Sequence, residues 1–257
     1  MSKIIVGHDG GVATVTLSNP GKLNAIDVSM WNGLTEAFSG LSRDESLRCI
    51  IVRGADGNFA AGADIEEFAS VRSTLEQGMH YHTRTIADAL EAIANCLHPV
   101  VAAIEGVCVG GGLEIACACD LRIAAPSARF GIPVTRLGFP LAPGEYIGLL
   151  QLVGRATALE ILLEGRVFDA AEAREKGLLH RIVADVPAEA RNTAARIAQG
   201  APLAARMNKK LARRLSPVPE PLDEQELRDA FSFLTSHDYR EGVQTFLAKT
   251  KPVFTGK

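Results

Sequence analysis

Net charge is almost lacking: 27 lysines and arginines stand against 30 aspartates and glutamates, leaving −3 over the whole chain. A balance this even gives no electrostatic footprint for nucleic acid. Also lacking is any uncharged apolar run near the roughly 18 residues that cross a bilayer. The opening stretch "MSKIIVGHDGGVATV" has neither the apolar core nor the small-residue cleavage site of a signal peptide. Neither nucleic acid nor a membrane is therefore an expected partner. Histidines do not cluster, and Cys117 and Cys119 are too close together for a CxxC pair, so no metal site is expected. The five cysteines are odd in number and lie in apolar company; they read as reduced core thiols, which suggests a cytoplasmic location. There is no internal repeat and no low-complexity tract.

What is present is an alternation of strands and helices. "KIIVG" and "VATVTLS" flank Asp9-Gly10-Gly11 and read as a hairpin. Asp27 is placed to cap a helix running to about Leu41, with Val28, Trp31, Leu34 and Phe38 on one face. "RCIIVRG", "PVVAAIEG" and "DLRIAA" are short buried strands, and a long helical pattern spans about Ser73 to Leu97. After Ala142 strand signals nearly stop. From Ala201 the pattern is helical, with Leu203, Met207, Leu211 and Leu215 at i+4 spacing, and "SPVPEPL" (216–222) marks a proline-rich break. The whole predicts an α/β fold.

Two turns stand out chemically. In "VCVGGGLEIACACD" (107–120), Gly110, Gly111 and Gly112 follow a strand and open a helix. Glycine there permits a sharp turn and close approach of another molecule. The first helical N–H groups lack internal partners and favour negative charge. Three readings are open: a tight turn with no ligand, a phosphate site, or a hole for an oxyanion formed during reaction. No Walker Lys-Ser/Thr follows, and the spacing does not fit GxGxxG. "NFAAGADIEEF" (58–68) repeats the pattern, with Ala61, Gly62 and Ala63 too small to shield their N–H groups. A third piece, "NPGKLNAID" (19–27), is a polar turn carrying Lys22. Glu114 lies one helical turn beyond Gly111; it reads either as a first-turn acid that suits the helix dipole or as a proton-transfer group.

Taken in series with "HPVVAAIEGVCVGGGLEIACACDLRIA", "FGIP" and the C-terminal "DYREGVQTFLAKTKPVF", these segments resemble the crotonase, or enoyl-CoA hydratase/isomerase, superfamily over essentially the whole length. The resemblance implies a crotonase-like spiral of ββα turns over residues 1–195 and a helical region over 196–257 used in trimer assembly, the trimers often pairing into hexamers. It implies an acyl-CoA substrate, with CoA arriving as part of that substrate and no separate cofactor, and so a place in fatty-acid metabolism. The thioester oxygen would sit between the N–H groups of Ala61 and Gly111, and Glu114 would act as base or acid on the acyl chain. Around them Ala25, Gly62, Ala63, Asp64, Ile65 and Gly110 would bind substrate, Lys22 would approach the CoA phosphates, and Phe246 and Lys249 would touch the nucleotide, often in a neighbouring subunit. Hydration of a 2-enoyl-CoA is the implied reaction.

The chain departs from that pattern at one position. Hydratases of this group usually carry a second glutamate in "FG-x-PE"; here the stretch is "ARFGIPVTRLGF" and the matching residue is Val134. Valine transfers no protons, so one-base isomerisation or decarboxylation, or loss of catalysis with acyl-CoA binding retained, stand as alternatives. The next loop, "PLAPGEYIG", puts Pro143, Glu145 and Tyr146 where small residues are usual. Glu145 reads either as a substitute carboxylate or as a surface residue in a helix's first turn, and His80 and His82 read as surface or packing residues. "MNKKLARRL" (207–215) reads as a solvated basic face.

Overall fold

A computed structural model describes residues 1–216 and 221–256. Pro217–Glu220, within the expected proline-rich break, lie outside the described residues. In chain order the elements are β1 (Lys3–Asp9), β2 (Val12–Ser18), α1 (Val28–Arg43), β3 (Cys49–Gly54), α2 (Phe68–Val71), α3 (Leu75–His80), α4 (Ala87–Ala94), β4 (Val100–Ile104), β5 (Val107–Val109), α5 (Gly111–Ala118), β6 (Leu121–Ala124), β7 (Arg129–Gly131), α6 (Pro143–Glu164), β8 (Phe168–Asp169), α7 (Ala170–Glu175), β9 (Arg181–Ile182), α8 (Val186–Ala198), α9 (Pro202–Leu215), α10 (Glu224–Phe231) and α11 (His237–Ala248).

The expected hairpin forms: β1 and β2 pair antiparallel, Asp9 opposite Val12. From there the larger sheet runs β1-β2-β3-β4-β6-β9, parallel after the first pair. A second sheet, β5-β7-β8, stands beside it. Each turn of the chain gives a strand to the larger sheet, then a strand or single bridge to a neighbouring layer, then a helix. Thus β4 leads through β5 to α5, β6 through β7 to α6, and β3 through the Ala60–Cys108 bridge to α2. This is the ββα spiral expected.

Residue alternation along the strands divides the interior. Ile50, Val52, Val100, Ala102 and Ile104 face the main core, with Trp31, Phe38, Phe59 and Phe130. Their neighbours Cys49, Ile51, Val101, Ala103 and Ile123 face Val186, Ala190 and Ala194 of α8. Strands covered on both faces are continuously apolar, as "VVAAI" is. Helix α1 starts where Asp27 accepts from the Met30 N–H at 2.8 Å, and buries Met30, Trp31, Leu34, Phe38 and Leu41. Full burial of such a side chain contributes roughly 1.5–3 kcal/mol. All five cysteines are buried and unpaired.

Three features differ from the sequence reading. The long helix expected from Ser73 is interrupted: between α3 and α4 the chain makes one π turn, Tyr81–Ile86, which turns both Tyr81 and His82 inward. Helix α6 is long and apolar enough, by length and composition, to cross a membrane, but it breaks at Gly154 (φ 72°, ψ 168°) and sends Glu145 into the protein. The boundary expected at residue 195 falls inside α8, whose apolar face belongs to the core. Beyond it α9 buries no residue, whereas α11 returns to the main body. There Gly242 meets the Leu137–Gly138 backbone so closely that a Cβ would lie 2.4 Å from the Leu137 carbonyl carbon.

Candidate active site

Two glycine-rich turns meet at the mouth of one cavity. After β5, Gly110 adopts φ 52° and its N–H donates to the Gly131 carbonyl at 2.8 Å. The chain then enters α5, whose first N–H groups, beginning with Gly111, have no partner within the helix. Gly112 packs onto the other turn; a Cβ there would lie 2.4 Å from the Ala60 carbonyl oxygen. In that other turn Gly62 has φ 102°. The Gly62 carbonyl accepts from Ile26 at 2.7 Å, and the Asp64 N–H donates to the Ile26 carbonyl at 2.9 Å.

This register corrects the expected donor pair. The Ala61 N–H donates to the Leu23 carbonyl at 3.1 Å and is already committed. Ala63, between the two Ile26 bonds, has no acceptor for its N–H among the described residues. A Cβ built on Gly111 would lie 3.6 Å from the Ala63 nitrogen, so Ala63 and Gly111 are neighbours across the turns. Ala63, named from the sequence only as a substrate contact, supplies the second free donor. Parallel-bridge pairing of alternate residues decides this, and the sequence did not reveal which residue of "AAGAD" faces inward.

The cavity has a volume of about 160 Å³, comparable to a site that holds a benzene ring, about 150 Å³. Its walls include Trp31, Phe68, Ile86, Val134 and Leu137, and five ionisable side chains: Arg72, Tyr81, His82, Glu114 and Glu145. Glu114, as expected, projects into it from the first turn of α5 and is buried. It accepts no hydrogen bond among the described residues. Burial, reinforced by the charge of Glu145, pushes its carboxyl well above the ordinary 4.5.

Glu145 overturns its surface reading. It is buried, 5% exposed, and not on the surface. Its Oε1 lies 2.6 Å from Nδ1 of His82. Burial raises its pKa, while Arg72 and the Ala142 backbone pull the other way. His82, delivered by the π turn, is likewise buried, and its other ring nitrogen has no partner. Burial, then Arg72, holds its pKa well below 6.5, so the ring is neutral near pH 7. A helix-opening Glu after proline looks like a surface cap in sequence; the fold of α6 against α5 and the π turn puts it inside.

The remaining candidates fall on two sides of this cavity. Gly62, Ala63, Ile65, Gly110, Val134 and Phe246 line it, Phe246 from the half-exposed end of α11. Asp64 instead accepts from the Glu66 N–H and pairs with Lys22, whose Nζ lies 2.7 Å from Asp64 and 2.7 Å from Glu66. Ala25 has its N–H on the Lys22 carbonyl and its carbonyl on Asn19. Lys249 is exposed, ends α11 with φ 56°, and does not line the cavity. His80 is exposed and away from it. No group of three His, Cys, Asp or Glu among the described residues could hold a metal ion.

Residues 7–257 match the family model for enoyl-CoA hydratase/isomerase. A probable enoyl-CoA hydratase of Mycobacterium tuberculosis is 37% identical, the alignment covering 98% of this chain and 97% of the relative. Among solved structures, an enoyl-CoA hydratase/carnithine racemase from Magnetospirillum magneticum is 46% identical with a TM-score of 0.82, covering 100% of this chain and 97% of the other. A methylmalonyl-CoA decarboxylase in complex with 2-nitronate-propionyl-CoA is 27% identical, with a TM-score of 0.88 and 99% of both chains covered.

Proposed function

The chain belongs to the enoyl-CoA hydratase/isomerase family, and within it we propose that it adds water to a 2-enoyl-CoA to give the 3-hydroxyacyl-CoA. The observation that carries this reading is Glu145: a second buried carboxylate lines the cavity that Glu114 lines, although Val134 stands where a second glutamate was expected. Hydration has two proton tasks, one at the water and one at Cα, and two carboxylates serve them.

In the proposed reaction the thioester oxygen accepts from the N–H groups of Ala63 and Gly111. As water attacks Cβ, electron density moves onto that oxygen as an enolate, which the two donors stabilise; one such donor is typically worth about 3–4 kcal/mol. Burial raises both carboxyls above 4.5, so near neutral pH the pair holds a proton. In the reactive form Glu145 is ionised and takes the proton from the attacking water, the charge of Arg72 offsetting only part of the burial that pushes its carboxyl up to about 8. Glu114 delivers its proton to Cα. Water has then been added across the double bond, and the pair resets by passing the proton from Glu145 back to Glu114 through solvent. His82 holds Glu145 by the 2.6 Å contact.

CoA comes as part of the substrate, and no further cofactor belongs to this scheme. A trimer, or a dimer of trimers, belongs to the same reading and is supported by the unpartnered apolar stripe of α9. A one-base decarboxylation or double-bond shift would need Glu114 alone and would leave Glu145 idle. Purified protein with crotonyl-CoA should lose the enoyl-thioester absorbance with formation of 3-hydroxybutyryl-CoA. Absence of hydration across short enoyl-CoAs, with carbon dioxide released from a malonyl-type ester, would replace this reading with decarboxylation.

A further inference from the structure

Arg72 moves no proton in the proposed hydration and touches it only through its charge on Glu145. It is 2% exposed, yet lines the cavity holding both carboxylates. Its Nε and Nη2 have no hydrogen-bond partner, and its guanidinium forms no ion pair among the described residues. Glu145, the nearest carboxylate in charge terms, gives its short contact to His82 instead. The cation lies 4.2 Å from the ring centres of Phe68 and of Phe139, 5.1 Å from Tyr239 and 5.5 Å from Phe233. Aromatic faces offset part of the charge, but they accept none of the in-plane N–H bonds that a guanidinium offers. A buried guanidinium without an anion is among the costlier groups a fold can hold, and its fork matches a carboxylate in two parallel hydrogen bonds.

We infer that Arg72 receives a carboxylate carried by the acyl group, so that the substrate class is the mono-CoA thioester of a short dicarboxylic acid. The thioester end is set by Ala63 and Gly111, which line the same small cavity as Arg72. An acyl group about the size of a benzene ring therefore spans from one to the other. Loss of that carboxylate as carbon dioxide would give up its ion pair with the guanidinium, so in this assignment it is a recognition group and not the leaving group. The unsaturation of this dicarboxylic acid rests on the hydratase reading; its second carboxylate does not.

Binding of saturated esters separates the two. Glutaryl-CoA is butyryl-CoA with a carboxylate added at the chain end, and neither is a hydration substrate. Calorimetry on the wild type should give a Kd for glutaryl-CoA about 30-fold below that for butyryl-CoA, or about 2 kcal/mol at 1.4 kcal/mol per decade. Arg72→Leu should abolish that preference while butyryl-CoA still binds. Arg72→Lys, which keeps the charge without the fork, should keep part of it and serves where the leucine variant fails to fold. Equal affinities in the wild type, or a preference that survives Arg72→Leu, would overturn the assignment. Because no chemistry occurs, loss of hydratase activity leaves this result standing, and a negative result here leaves hydration standing.

Discussion

Glu114 and Glu145 sit where a folded chain least favours carboxylates, and their position has a cost as well as a use. Both have folded pKa values raised above 4.5. A raised carboxyl is stabilising relative to the ionised form below the unfolded pKa, and that contribution is lost as pH rises through the folded value. Replacing Glu145 with Gln should therefore leave stability nearly unchanged near pH 4. Near pH 9 it should raise the unfolding free energy by at least about 1 kcal/mol, at about 1.4 kcal/mol per unit of raise. Denaturant melts at the two pH values check this; equal gaps at both would mean the carboxyl titrates as in the unfolded chain. At this scale the sequence was legible where a motif fixes a residue, as for Glu114 and Gly111. It was not legible for Ala63 against Ala61, which a bridge to Ile26 decides, nor for Glu145 and His82, separated by 63 residues and joined only by packing.

At the scale of the element, the site depends on turns that leave no room for a Cβ. Gly112→Ala would force a methyl to 2.4 Å from the Ala60 carbonyl oxygen. Overpacking of this kind costs about 1–3 kcal/mol, and it would push apart the turns that hold Ala63 and Gly111. Thermal stability and turnover should fall together. Gly144 in α6 is the contrast, since its Cβ would meet nothing closer than Ala87 at 4.0 Å. Gly144→Ala should hold or raise stability, by up to about 1 kcal/mol; a loss equal to that at Gly112 would show that the clash is not the cause. The strands, α1 and its cap could be read from periodicity and Asp27. The π turn at Tyr81–Ile86 could not, because its sequence carries an ordinary helical pattern and only tertiary contact selects the wider turn.

For the whole molecule, α9 is the element with unfinished business. Leu203, Met207, Leu211 and Leu215 are all exposed along one stripe. Within its basic run Lys210, Arg213 and Arg214 are exposed, as a solvated face predicts, while Lys209 pairs with Asp120 at 2.7 Å and donates to the His98 carbonyl; just before the run, Arg206 donates to the Glu45 carbonyl. Those bonds tie α9 to the main body and leave the stripe facing outward, a surface suited to another copy of the chain. Sedimentation at micromolar concentration should give a trimer or a multiple of it, and Leu211→Glu with Leu215→Glu should give monomers. A wild-type monomer would contradict the proposed assembly. The stripe was visible in the sequence as i+4 spacing; the anchoring of α9 was not, since Lys209 and Asp120 are far apart in the chain.

Hydration of an enoyl-CoA by wild type, Glu114→Gln, Glu145→Gln and the double variant tests the paired-carboxylate site most directly, with 3-hydroxyacyl-CoA formation measured at saturating substrate. Each single change keeps the side chain's shape and removes one proton carrier. Each should lower turnover by about 100-fold or more, the usual scale of acid–base assistance. The double variant should fall little below the worse single, because groups acting as one unit are not additive. Wild-type turnover in Glu145→Gln, with Glu114→Gln inactive, would contradict the two-carboxylate mechanism and leave a one-base enzyme.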